Sequence, residues 1–305
     1  MVSQKHITVN GIKLCYFEYG SESKESPTFL LVHASGFHAR CWDQTINHMQ
    51  GCHVLAVDLR GHGRSQNHGP FSWDVFGADL KAFLKALDLT DVVAVGHSIG
   101  GHIVCQLAGE DPSRFLRLLL VDPVICPAED YGEPEPEILR SEKARKHPVS
   151  RRRNHFESTE KMFENYVGRG PFEHWELDVL RDFCEFGFVV GEGGLALACP
   201  PVVEAELYLG SKDINIYPYI ENIKIPVTVL RAQTRKKTQG SMDFSGSPTW
   251  KHLSSCFLQG RDISLPHLTH FIPMQDPELT AKYICLLYTS PSPRDRTRSR
   301  MPSSA

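Results

Sequence analysis

Short apolar runs alternate with amphipathic stretches through the first 122 residues and again after residue 222. The runs TFLLVH, VVAVGH and FLRLLLVDP are apolar almost throughout, which is typical of strands buried on both faces of a sheet. The pattern predicts strands at His6–Val9, Lys13–Tyr19, Thr28–His33, His53–Asp58, Val92–Gly96, Leu116–Asp122, Val227–Arg231 and Asp262–Leu265. Strands in this arrangement predict an α/β fold with a mostly parallel eight-stranded sheet.

The amphipathic stretches between these strands have apolar residues at helical spacing. They predict helices at Arg40–Met49, Asp74–Leu87, Gly100–Glu110, Pro248–Ser255 and Pro277–Leu286. Because a helix between parallel strands crosses over one face of the sheet, we expect helices on both faces.

The alternation stops between Asp122 and Val227, where the chain becomes charged and aromatic. A loop of about a hundred residues with no structure of its own is uncommon in a compact domain. We therefore expect a helical cap insertion at residues 123–222, over the C-terminal edge of the sheet. It would separate the two parts of the core, 1–122 and 223–287.

The last stretch, residues 288–305, is rich in Pro, Ser and Arg and has no apolar periodicity. We expect this tail to be disordered. It resembles the translation of a cloning or sequencing artefact, so we expect it not to be native and exclude it from the fold.

Composition narrows the function classes. The net charge of −3 provides no basic field for a phosphate backbone, so nucleic acid is not an expected partner. The polar start and the absence of any run of about 18 apolar residues predict no membrane span and a cytoplasmic location. Nine scattered cysteines without a CxxC pair, and histidines without ligand spacing, indicate no metal site. Oligomeric state is left open.

The segment Gly96-His97-Ser98-Ile99-Gly100 matches G-x-S-x-G between a predicted strand and a predicted helix. This context exposes the serine hydroxyl at a sharp turn above the sheet edge. A side chain on either glycine would collide with neighbouring backbone. The turn also brings the N–H of Ile99 to the helix N-terminus, where it can stabilise a developing oxyanion. We predict Ser98 as a nucleophile and Ile99 as an oxyanion donor.

Two other segments resemble the α/β-hydrolase superfamily. The run LLVHASGFHARCW is similar to the family's His-Gly loop, which implies Ser35 as the second oxyanion donor, although Ala34 replaces the usual glycine. The run DLRGHGRS resembles the glycine-rich segment after the fourth strand, to which we assign a structural role. Together with G-x-S-x-G, the three segments in this order imply the α/β-hydrolase fold.

A serine nucleophile needs a base within hydrogen-bond reach, and the family order is nucleophile, acid, histidine. The run LTHFIPMQDP resembles the segment that carries the family's catalytic histidine, which implies His270 as the general base. His267 is the alternative. The acid is open: most relatives place it after the strand VTVLRA, where residues 233–240 contain no carboxylate. We favour Asp122 slightly, keep Asp243 as the alternative acid, and allow that both act.

Epoxide hydrolases and haloalkane dehalogenases of this superfamily have an aspartate nucleophile at this turn. The serine found here therefore excludes both of these enzyme classes. The resemblance implies hydrolysis of an ester or similar small acyl substrate through an acyl-enzyme, without a cofactor. We expect Phe37, Trp42 and Phe71 to line an apolar acyl pocket. Alternatives within the fold are a carbon–carbon bond hydrolase, a thioesterase, a perhydrolase or a non-catalytic ligand-binding member. A dinucleotide-binding oxidoreductase is disfavoured because no G-x-G-x-x-G follows the first strand.

Overall fold

The structure, a computed structural model, describes residues 2–23, 25–191, 194–236, 240 and 243–289. The strands, in chain order, are β1 (Val2–Val9), β2 (Ile12–Tyr19), β3 (Thr28–Val32), β4 (His53–Val57), β5 (Val92–His97), β6 (Phe115–Val121), β7 (His155–Phe156), β8 (Phe188–Gly191), β9 (Gly194–Leu197), β10 (Val227–Arg231) and β11 (Gly260–Ser264). The α-helices are α1 (Asp43–Asn47), α2 (Trp73–Ala86), α3 (Ile99–Glu110), α4 (Glu137–Lys146), α5 (Thr159–Tyr166), α6 (Leu177–Phe186), α7 (Pro201–Leu209), α8 (Tyr217–Ile220), α9 (Ile272–Gln275) and α10 (Pro277–Thr289).

The main sheet has eight strands in the order β1-β2-β4-β3-β5-β6-β10-β11. The pairings of β1 with β2 and of β2 with β4 are antiparallel, and those from β4 to β11 are parallel. The mostly parallel eight-stranded sheet is therefore confirmed. Each predicted strand is present, with ends that differ by up to four residues, at the start of β1.

Helices cover both faces of this sheet, as predicted. In β3, Leu30 and Val32 pack into one apolar cluster with α2, α3 and α8, whereas Phe29 and Leu31 pack into another with α1 and α10. Alternate residues of a strand point to opposite faces, so a strand covered on both sides must be apolar throughout.

Two helix predictions need correction. The predicted helix at Arg40–Met49 begins as a 3-10 turn, Ala39–Trp42, before α1. The predicted helix at Pro248–Ser255 is wrong, because only a 3-10 turn at Leu253–Cys256 forms there. The N–H of Trp250 instead donates to the carbonyl of Ile125, so this segment's hydrogen bonds go to the neighbouring loop.

The predicted insertion at 123–222 contains α4 to α8 and also a small antiparallel sheet, β7-β9-β8, that the sequence did not predict. Aromatic residues of the insertion pack with Phe271 in a third apolar cluster. Its last two helices, α7 and α8, join the cluster that also holds α2 and α3. The predicted tail begins within α10, and beyond Thr289 it lies outside the described residues.

Candidate active site

Ser98 lies at the turn between β5 and α3 with φ 59° and ψ −119°, a conformation that costs energy for any residue with a side chain. Glycines on both sides permit this turn. A Cβ on Gly96 would overlap the carbonyl of Gly100, and a Cβ on Gly100 would overlap the carbonyl of Val32. The turn thus depends on the two glycines of G-x-S-x-G, as the sequence indicated.

A chain of hydrogen bonds joins three buried side chains at the C-terminal edge of the sheet. His270 Nε2 lies 3.1 Å from Ser98 Oγ, and His270 Nδ1 lies 2.7 Å from Asp122 Oδ2. A carboxylate can only accept here, so Nδ1 carries the proton and Nε2 is left to accept from the serine hydroxyl. The ring is therefore oriented as a base toward Ser98.

Asp122 is fully buried directly after β6. Its Oδ1 accepts hydrogen bonds from the N–H of Ala232 (3.0 Å) and from the hydroxyl of Ser247 (2.5 Å), while the hydroxyl of nearby Thr249 donates to the Pro123 carbonyl at 2.6 Å. Donors of this kind stabilise the ionised form of a buried carboxyl group. With Oδ1 occupied, Oδ2 faces His270.

The alternative residues lie elsewhere. Asp243 Oδ1 accepts from the N–H and hydroxyl of Ser245, at 3.0 and 2.5 Å, and Asp243 lines a neighbouring cavity of about 400 Å³. His267 is exposed, whereas His270 is buried. The structure thus brings Asp122 to His270 and does not place Asp243 or His267 in the hydrogen-bonded chain.

Two residues that the sequence analysis did not select hold His270 in place. His97 Nε2 donates to the His270 carbonyl at 2.8 Å, and burial lowers the pKa of His97 to about 3, so its ring is neutral. The ring of Phe244 stacks on that of His270 at 5.9 Å, and its carbonyl accepts from the His270 N–H at 3.1 Å. Neither role has a sequence signature beyond the position of His97 beside Ser98.

The two predicted oxyanion donors, Ser35 and Ile99, come to Ser98 from different segments of the chain. Ile99 is the first residue of α3, and buried Ser35 lines the same cavity as Ser98 and His270. The adjacent N–H, that of Gly36, donates to His62 Nε2 at 3.1 Å and is therefore occupied. Ser35 consequently remains the candidate donor from this loop.

Two neutral histidines, which the sequence analysis did not select, tie the Ser35 loop to the glycine-rich segment after β4. His62 Nδ1 donates to the Arg60 carbonyl at 2.9 Å while its other nitrogen accepts from the loop. His33 Nδ1 donates to the Ala34 carbonyl at 2.7 Å, and its Nε2 accepts from the Leu59 N–H at 3.0 Å. Burial lowers both pKa values, that of His62 to about 4.

The cavity that contains Ser98 and His270 has a volume of about 470 Å³, within the range of small-molecule sites. Its apolar lining includes Trp73, Val124, Pro127, Leu209, Pro248 and Trp250. Phe37 instead lines an adjacent cavity of about 350 Å³, which shares Tyr208 and Phe244 with the first.

Trp42 and Phe71 do not line the Ser98 cavity, contrary to expectation. Trp42 is fully buried among residues of α1 and the sheet, because the turn that carries it packs on the face of the sheet that α1 and α10 cover. Phe71 packs over Gly61, where it covers the glycine-rich turn after β4. Both residues therefore contribute to the core.

Residues 29–283 match the Alpha/beta hydrolase family, which is most of the chain. The chain belongs to this family. Known structures agree: this α/β hydrolase is similar to an E-2-(acetamidomethylene)succinate hydrolase, with TM-score 0.72 and 20% identity over 95% of this chain and 100% of that one. It is also similar to the thioesterase domain from the curacin biosynthetic pathway, with TM-score 0.73 and 17% identity over 94% and 99%. At such identities these structures show the shared fold.

Curated relatives match the α/β hydrolase over shorter stretches. Lipase LipV of Mycobacterium tuberculosis is 35% identical over 97 residues, which cover 32% of this chain and 37% of that protein. N-formylmaleamate deformylase of Pseudomonas putida is 31% identical over 130 residues, 41% of this chain and 46% of that protein. The matches thus span less than half the length of either relative. They show which proteins these stretches of the chain resemble and leave the substrate open.

No group of three or more His, Cys, Asp or Glu side chains in the described ranges of the chain is arranged to hold a metal ion. No helix in the same ranges is long and apolar enough to cross a membrane.

Proposed function

We propose that this protein is a carboxylesterase-like serine hydrolase that cleaves an ester or similar acyl substrate through an acyl-enzyme on Ser98. The hydrogen-bonded chain from Ser98 through His270 to Asp122 carries this proposal. A serine hydroxyl is a weak nucleophile until a neighbouring base removes its proton, and His270 is the base in this hydrogen-bonded arrangement. Residues 123–222 act as the cap that shapes the substrate cavity.

In this mechanism Ser98 Oγ attacks the acyl carbonyl while His270 Nε2 takes the hydroxyl proton. The carboxylate of Asp122 stabilises the imidazolium that forms. The N–H groups of Ser35 and Ile99 stabilise the oxyanion. His270 then protonates the leaving group as its bond to the acyl carbon breaks. Water, deprotonated by the same ring, attacks the acyl carbon, and His270 returns this proton to Ser98 Oγ as the Oγ–acyl bond breaks and the acid is released.

The same geometry also serves thioester, amide, carbon–carbon and perhydrolytic chemistry, and the names of the relatives include a thioesterase domain, a deformylase and a non-heme chloroperoxidase. From a different class, a non-catalytic ligand-binding member would keep the fold without turnover. The first question is therefore whether Ser98 is activated.

Labelling with a fluorophosphonate probe, followed by peptide mapping, tests this. We expect one labelled serine, Ser98, in the wild type and no labelling of Ser98→Ala. Ser113→Ala, at an exposed serine after α3, is the matched control and should label as the wild type does. Folded wild-type protein that takes up no probe would contradict the hydrolase proposal and favour the ligand-binding alternative.

A further inference from the structure

Outside the triad, three side chains that can be positively charged line the Ser98 cavity: His147, Lys212 and Arg235. His147 Nδ1 accepts a hydrogen bond from the Val149 N–H at 3.3 Å, so this ring nitrogen already has a partner. Lys212 Nζ lies 3.8 Å from Asp130 Oδ2, and both side chains are about half exposed at the cavity rim. Among the described residues, Arg235 has no carboxylate oxygen within 4 Å, although Asp130 lines the same cavity.

The guanidinium N–H groups of Arg235 also make few hydrogen bonds to the described residues. Its Nη2 reaches only the backbone carbonyl of Asp243, at 3.3 Å, and its Nε is buried without an acceptor in the described part of the chain. The carboxylate of Asp243 bonds to Ser245 and lines the neighbouring cavity instead. Arg235 is only partly buried, but a buried donor such as its Nε that has no acceptor loses its hydration without compensation. Arg152 in the insertion also has a buried Nε without an acceptor, but it has a carboxylate partner, since its Nη2 lies 2.7 Å from Glu204 Oε2.

Hydrogen bonds of two backbone N–H groups anchor the segment just before Arg235 beside His270 and Asp122. The chain leaves β10 with the N–H of Ala232 bonded to Asp122 at 3.0 Å. The next N–H, that of Gln233, donates to the carbonyl of Leu268, two residues before His270, at 2.9 Å. The segment that leads to Arg235 is thus bonded to both segments that carry His270 and its acid.

We propose that the Ser98 cavity selects acyl substrates that carry a carboxylate group and that Arg235 binds this carboxylate. The inference rests on the proposed function for its chemistry. A guanidinium presents paired donors that match a carboxylate, and the charge-assisted bonds would satisfy the unused Nε. The apolar part of the lining, which includes Trp73, Leu209 and Trp250, fits the carbon chain between carboxylate and scissile bond.

Hydrolysis of two matched esters tests the proposal: mono-4-nitrophenyl adipate, which is anionic, and methyl 4-nitrophenyl adipate, which is neutral. We expect kcat/KM to be at least about tenfold higher for the anionic ester. Arg235→Gln should remove this preference by slowing the anionic ester alone, and Arg235→Lys should retain part of it. The control is Arg261→Gln, which removes the same charge from an exposed residue. Arg261 lies near the start of β11, at the N-terminal end of the parallel strands and away from the Ser98 cavity, so this variant should keep the preference.

Binding separates this inference from the hydrolase proposal. Adipic acid monoanilide and its methyl ester are titrated calorimetrically into Ser98→Ala protein, with and without Arg235→Gln. Tighter binding of the acid, lost with Arg235→Gln, supports the carboxylate site even where neither ester is hydrolysed, and the hydrolase proposal alone would then fail. Equal hydrolysis of both esters, or equal binding of acid and methyl ester, overturns the carboxylate site.

Discussion

At the scale of single residues, the two carboxylate oxygens of Asp122 have different hydrogen-bond partners. Oδ1 accepts from the Ala232 N–H and from the Ser247 hydroxyl, while Oδ2 faces His270. Ser247 lies just before the segment predicted to be helical, and in that segment the Thr249 hydroxyl donates to the Pro123 carbonyl and the Trp250 N–H to the Ile125 carbonyl. The segment is irregular because its polar groups bond to the residues that follow Asp122.

Replacing this acid should affect activity far more than replacing its sequence alternative. Asp122→Asn keeps the size of the side chain but presents an amide that can donate to His270, which favours the wrong tautomer. We expect kcat for an ester hydrolysed by the wild type to fall by about 10³- to 10⁴-fold. Asp243→Asn is the control and should stay within about threefold, since Asp243 bonds to Ser245. The reverse order of effects would identify Asp243 as the acid.

At the scale of elements, the sequence was most informative where local pattern and tertiary environment agree. Strands buried on both faces must be apolar throughout, so β3, β5 and β6 were visible as continuous runs. The strands β7, β8 and β9 have only two to four residues, too few to show a period. The sequence could not decide between Asp122 and Asp243, because the answer depends on how the backbone runs after β10. Side-chain hydrogen bonds determine that course. The roles of His97 and Phe244 depend on three-dimensional contacts alone.

A buried ionic contact within the insertion packs against the Ser35 loop. Glu204, in α7, is 4% exposed; it lies 2.7 Å from Arg152 and accepts from the Tyr208 hydroxyl at 2.7 Å. Its carboxylate also packs against Gly36, where a Cβ would come within 2.8 Å of it. Glu204 thus joins α7, the segment before β7 and the loop that carries Ser35.

Removing this carboxylate should destabilise the protein. Glu204→Ala leaves the Arg152 charge without its partner and opens a cavity beside Gly36. Because Arg152 is 30% exposed, we expect a loss of about 2 to 3 kcal/mol in the free energy of unfolding, below the cost for a fully buried pair. Glu160→Ala, at an exposed residue of α5, should stay within about 0.5 kcal/mol. Urea unfolding measures both, and equal losses would show that the contact has no special role.

At the scale of the whole molecule, five fully buried histidines make the fold sensitive to acid. Burial lowers the pKa of His38 and His97 to about 3 and of His62 and His102 to about 4, and it holds that of His33 well below its usual range. In the unfolded chain these groups titrate near 6.5. Between about pH 4 and 6.5 the unfolded chain therefore binds more protons, and stability falls as pH decreases.

Two carboxyl groups act in the opposite direction. Burial raises the pKa of Asp58 and of Asp182 to about 6, so the folded chain binds protons more tightly there and gains stability as pH decreases from about 6 to 4. Each proton bound differently changes the free energy of unfolding by about 1.4 kcal/mol per pH unit. Five histidines outweigh two carboxyl groups, so the net effect of acid is destabilising.

We therefore expect the free energy of unfolding, measured with urea, to fall by several kcal/mol between pH 7 and pH 5. His102→Gln removes one buried titrating ring while it keeps a donor for the Ile214 carbonyl, so the pH slope should decrease by about 1.4 kcal/mol per pH unit, whatever the stability at pH 7. His155→Gln, at an exposed position, should leave the slope unchanged. Stability that is constant or higher at pH 5 would mean that the buried histidines take up protons without unfolding, which their apolar surroundings argue against.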